Sequence, residues 1–151
     1  MTKLIRIIIL LAITLNTTNS SGLNRETNLL EIAEAAPFTI EIVGQGKPIL
    51  YLPGFATPGS IWKETVESLN LERKSYLFSY AGFNGNEPIE MPWYSNIKNG
   101  IIDYIKDNKM SDIIIVGHSM GGNLAVDIAT ELPNKVSKII IVEALPCMRE
   151  E

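Results

Sequence analysis

The chain has 151 residues, 46% of them hydrophobic and 20% charged, the balance of a single folded domain rather than a disordered or fibrous chain. A formal net charge of -4, with no basic cluster, argues against a nucleic-acid partner. Cys147 is the only cysteine, which excludes an intrachain disulfide and a cysteine-based metal site.

Residues 1–21 read as a separate object. Lys3 and Arg6 supply positive charge, Ile7 to Leu15 form an apolar run broken only by Thr14, and Asn16 to Ser21 are small and polar. That order predicts a secretory signal peptide cleaved near Ser20 or Ser21, hence an exported protein. The apolar run is too short to remain as a membrane span. Residues 22–37 are expected to form a polar spacer, Gly22 to Asn28, and a short helix, Leu29 to Ala36, stopped at Pro37.

From Phe38 the pattern changes. Phe38, Ile40 and Ile42 alternate with Thr39, Glu41 and Val43, the period of a half-exposed strand. Gly44-Gln45-Gly46-Lys47 makes a turn and Pro48 to Leu52 a second strand, so the two segments are expected to pair as a hairpin. A loop, Pro53 to Gly59, precedes a helix over Ile61 to Leu69 that should bury Trp62, Val66 and Leu69. Ser75 to Tyr80 is a strand, and the Gly-, Asn- and Pro-rich stretch from Ala81 to Pro92 is a loop. Trp93 to Asn108 has Ile97, Ile101, Ile102 and Ile105 on one helical stripe. Val136 to Val142 is a further apolar strand. Strands and helices alternate after the first pair, which predicts an α/β fold: a mostly parallel sheet with helices on both faces.

The stretch from Asp112 to Leu132 carries the chemistry. Asp112-Ile113-Ile114-Ile115-Val116 suits a strand buried on both faces. Leu124, Ile128 and Leu132 lie at helical spacing, with Pro133 ending the run. Between them Gly117-His118-Ser119-Met120-Gly121-Gly122 leaves room only for a sharp turn. Such a G-x-S-x-G turn holds its serine strained and outward, at the positive end of the following helix.

On this nucleophile elbow the chain resembles the α/β-hydrolase superfamily, over about Phe38 to Pro146. The resemblance implies that residues 38–151 are the N-terminal part of an α/β-hydrolase domain. It also implies that Ser119 is the nucleophile of a serine hydrolase acting on a small ester, lactone or amide without a cofactor or metal. The oxyanion donors it implies are the backbone amides of Met120 and Phe55, the latter because Pro53-Gly54-Phe55 looks like the family's oxyanion loop. Position 53 lacks the histidine often found there. The family order of Ser, acid, His finds no histidine after Ser119, since His118 is the only one in the chain. His118 adjoins the serine on the elbow and is not expected to be its base. Glu143 stands where some members carry the acid, although it reads more readily as a solvated carboxylate at a strand end. The expectation is therefore an incomplete α/β-hydrolase fold, weakly active or inactive alone. The alternative is a non-catalytic ligand-binding protein with the same fold, its groove lined by Ala81 to Pro92, Phe83, Trp93 and Tyr94.

Overall fold

The computed structural model describes residues 36–144. The expected signal peptide, and all but the last two residues of the 22–37 segment, lie outside that range. Five strands form one sheet: β1 (Phe38–Val43), β2 (Lys47–Leu52), β3 (Arg73–Tyr80), β4 (Ile113–His118) and β5 (Val136–Val142). Their order is β1-β3-β2-β4-β5. Every pairing is parallel except that of β1 with β3. Three α-helices connect them: α1 (Lys63–Leu69), α2 (Trp93–Asp107) and α3 (Met120–Glu131).

The expected hairpin does not form. β3 lies between β1 and β2, with Phe38 opposite Tyr80 and Val43 opposite Ser75. Two features explain the order. Ile49 to Leu52 are all buried, so β2 needs a neighbour on each side, whereas the alternation in β1 suits a sheet edge. The connection also crosses the start of β3: a Cβ at Gly44 would sit 2.6 Å from Arg73 O, and one at Gly46 2.8 Å from Glu72 O. Both glycines have positive φ, 78° and 108°, which no β-branched residue tolerates comfortably.

Helices cover both faces, as the alternation implied. On one face α2 and α3 pack Ile97, Ile101, Ile102, Ile105, Leu124 and Ile128 against Leu50, Leu52, Tyr76 and Phe78. Tyr94 Oη donates to Asp127 Oδ2 at 2.9 Å and Lys98 pairs with Glu131 at 2.5 Å, which ties α2 to α3. On the other face Trp62 and Val66 pack on Ile49, Tyr51 and Leu77. Leu69 does not join them and is 52% exposed. Gly59–Trp62 is a 3-10 turn rather than α-helix, so the side-chain spacing shifts where α1 begins. β4 sends Ile113 and Ile115 to the first cluster and Ile114 and Val116 to the second, the two-sided burial expected of it. At the sheet edge Ile139 to Val142 of β5 are 37–46% exposed. No helix among the described residues is long and apolar enough to cross a membrane.

Candidate active site

Ser119 is the single residue between the last residue of β4 and the first of α3. It takes φ 52° and ψ -122°, a region that L-residues occupy only when their surroundings force it. The forcing groups are the neighbouring glycines. A Cβ at Gly117 would overlap Gly121 O and lie 2.7 Å from Gly122 N, and one at Gly121 would overlap Leu52 O. A Cβ at Gly122 would meet Ile141 Cγ2 at 3.0 Å. Strand, turn and helix are thus in backbone contact, and the elbow is pressed against both β2 and β5.

Hydrogen bonds hold the bend. Ser119 N–H donates to Glu143 O at 2.6 Å and to Val142 O at 3.1 Å, while Ser119 O accepts from Gly122 N–H at 2.8 Å. The first turn of α3 therefore starts at the serine, with the positive end of the helix beside it. Glu143 follows β5, is exposed, and has φ 50°. Its peptide oxygen is bound to the elbow, so the residue is held next to Ser119 through its main chain.

The Pro53–Gly59 loop reaches the same point. A Cβ at Gly54 would sit 3.4 Å from Ser119 Cβ and 3.2 Å from His118 Nδ1. A Cβ there would need the His118 ring to give by a few tenths of an ångström. The His118 imidazole accordingly lies against Gly54. The loop turns back through Thr57 N–H to Gly54 O, 3.2 Å. Its base is fixed by Tyr80 Oη, which donates to Pro53 O at 3.1 Å in the interior. Burial, and secondarily the nearby Tyr94, push the Tyr80 hydroxyl well above its ordinary pKa, so it stays a donor.

Phe55 stands at the loop tip, 61% exposed. The 81–92 segment faces it: Asn84 Nδ2 donates to Ala56 O at 3.3 Å. Asn86 Nδ2 donates to Ser79 O and Tyr80 O, anchoring that segment to the end of β3. Ser119, Met120, the Phe55 loop and Glu143 are thereby brought to one end of the sheet, beyond the carboxyl ends of parallel strands where such folds bind ligands. Tyr80 and Asn86 carried no sequence signal for this role. Tyr80 looked like any strand-end aromatic, and Asn86 like any turn residue.

Comparisons with known proteins agree with this geometry. A model of the alpha/beta hydrolase fold matches residues 47–150. Pimeloyl-[acyl-carrier protein] methyl ester esterase of Nitrosospira multiformis is 29% identical over 111 residues, covering 71% of this chain and 42% of the relative. The protein of the same name from Wigglesworthia glossinidia brevipalpis is 31% identical over 116 residues, covering 76% and 43%. Among solved structures a marine microorganism esterase superposes with a TM-score of 0.67 at 24% identity, over 78% of this chain and 45% of its own. The chain thus spans less than half the length of the curated relatives it matches. With the strand–elbow–helix geometry in place and two thirds of its length matched by the family model, this chain belongs to the alpha/beta hydrolase fold family.

Proposed function

We propose that this chain carries the nucleophile and oxyanion half of a serine hydrolase acting on small carboxylic esters. Ser119 is the nucleophile, and the backbone amides of Met120 and Phe55 are the oxyanion donors. The carrying observation is the strained Ser119 backbone, wedged by glycines between β4 and α3 with Gly54 against its Cβ. Attack by Ser119 Oγ on the ester carbonyl forms a tetrahedral oxyanion, and its collapse expels the alcohol and leaves an acyl-enzyme that water then cleaves. Donors fixed at that oxyanion contribute roughly 3–4 kcal/mol each. The names of the esterase relatives favour an ester over a lactone or amide.

A serine needs a base to take its proton. The sequence has one histidine, and its ring is packed at Gly54. A second reading is a ligand-binding protein on the same fold. Exposure of the full chain to a fluorophosphonate separates the two. Covalent labelling at Ser119, abolished in Ser119→Ala, supports the hydrolase. Absence of labelling in a chain that unfolds cooperatively supports the binding protein.

A further inference from the structure

Three aromatic rings from three segments meet beside the elbow. Phe55 and Phe83 have centroids 4.8 Å apart at 69°, Phe55 and Trp93 5.8 Å at 76°, and Phe83 and Trp93 5.8 Å at 80°. All three contacts are edge-to-face. Trp93 also meets Tyr80 edge-to-face at 5.9 Å, so the trio stands on the residue that anchors the Pro53 carbonyl. The Trp93 indole N–H already donates to Ala81 O at 2.9 Å. An indole has no second polar group, so the cluster offers a ligand only ring faces and edges.

These rings are not simply core. Phe55 is 61% exposed, and Phe83 and Trp93 are each partly exposed. A surface cluster of large aromatics is the informative kind of exposed apolar group. One of the rings, Phe55, follows Gly54, where an added Cβ would lie 3.4 Å from Ser119 Cβ, so the cluster borders the serine. Edge-to-face packing exposes both signs of the ring quadrupole. A planar aromatic guest can match that pattern, whereas a saturated one gains contact area alone.

We propose that Phe55, Phe83 and Trp93 form a recognition face for an aromatic ring carried by the ester. The proposal deepens the reading of Ser119 as acyl acceptor and rests on it for where the ester group lies. The ring contact itself can be measured without any reaction. The test uses the full chain, 15N-labelled and carrying Ser119→Ala, titrated with methyl phenylacetate and with methyl cyclohexylacetate. The two tryptophan indole resonances report separately, because Trp62 packs on the opposite sheet face against Tyr51.

The expected result is a saturable shift of the Trp93 indole with Trp62 unmoved, and phenylacetate binding about 3–10-fold tighter than its saturated analogue. Phe83→Leu, which keeps an apolar side chain, removes that preference, and an unmoved Trp62 resonance certifies its fold. Equal affinities, absence of saturable binding, parallel shifts of both indoles, or a preference retained in Phe83→Leu overturns the proposal. Aromatic preference without fluorophosphonate labelling would instead count against the hydrolase reading and leave the ring site standing.

Discussion

Replacing Ser119 with glycine separates what the elbow does for chemistry from what it costs the fold. At φ 52° and ψ -122° a residue with a Cβ is strained by about 1–3 kcal/mol. Glycine removes that strain, at the expense of a more flexible unfolded chain, a loss of about 0.4–1 kcal/mol. The balance is a gain of about 1–2 kcal/mol in Ser119→Gly. For the roughly 110 described residues this raises the Tm by about 4–8 °C. Ser119→Ala is the control, since it deletes the hydroxyl and keeps the Cβ. Thermal and urea unfolding of the three chains, followed by far-UV circular dichroism, should rank glycine above serine and alanine. Both variants should lose fluorophosphonate labelling. If glycine is no more stable than alanine, the backbone at this position is not strained, and the elbow argument fails at its base.

Other substitutions probe the contacts around it. Gly121→Ala pushes a Cβ into Leu52 O and to 2.5 Å from Pro53 O, both main chain, so urea titration should show a loss of about 3 kcal/mol. Ile101→Ala empties a site with no solvent exposure and should cost about 2–5 kcal/mol in the same assay; a loss under 1 kcal/mol would mean that α2 is loosely packed. Tyr80→Phe leaves Pro53 O without its buried donor, costing about 1–3 kcal/mol and slowing Ser119 labelling by loosening the Phe55 loop. Tyr94 has its pKa raised above 10.0 by burial, by its hydrogen bond to Asp127 and by that carboxylate's charge. The folded state therefore keeps a proton that the unfolded state releases, so this contribution is full below pH 10 and falls as pH rises. Tyr94→Phe should lose stability less steeply between pH 9 and 11 in urea titrations, and parallel declines would contradict the assignment.

What could be read from the sequence divides along locality. The elbow was legible because its determinants lie within one short run: the β-branched strand, the glycines at 117, 121 and 122, and the helical spacing of Leu124 and Ile128. The stripes of α2 and α3 were legible for the same reason, since spacing alone says which side chains share a face. The pairing of β1 was not. Gly44 to Lys47 has the look of a hairpin turn, and nothing nearby reveals that β3, some thirty residues on, takes the place beside β2. Strand order is decided by which strand has two apolar faces to cover, and that becomes visible only when all strands are compared. The Tyr80 anchor and the aromatic trio were out of reach because their partners come from different loops.

One non-local relation is nevertheless written in the residues. A Cβ at Gly121 would overlap Leu52 O and Pro53 O, whereas one at Gly54 would be in tight contact with the His118 ring and ordinary contact with Ser119 Cβ. The elbow gives up a side chain to admit the main chain that leads into the loop. The two glycine motifs, far apart in sequence, are thus two halves of one contact, and the contact sets the distance from the loop's amides to the serine. A substitution at either glycine should therefore disturb the same geometry. Gly121→Ala should suppress Ser119 labelling more than Gly54→Ala does, and the double variant should lose less stability than the sum of the singles, because the main-chain clash at position 121 already parts the two backbones. Strict additivity in urea titrations would show instead that the loop and the elbow are held independently.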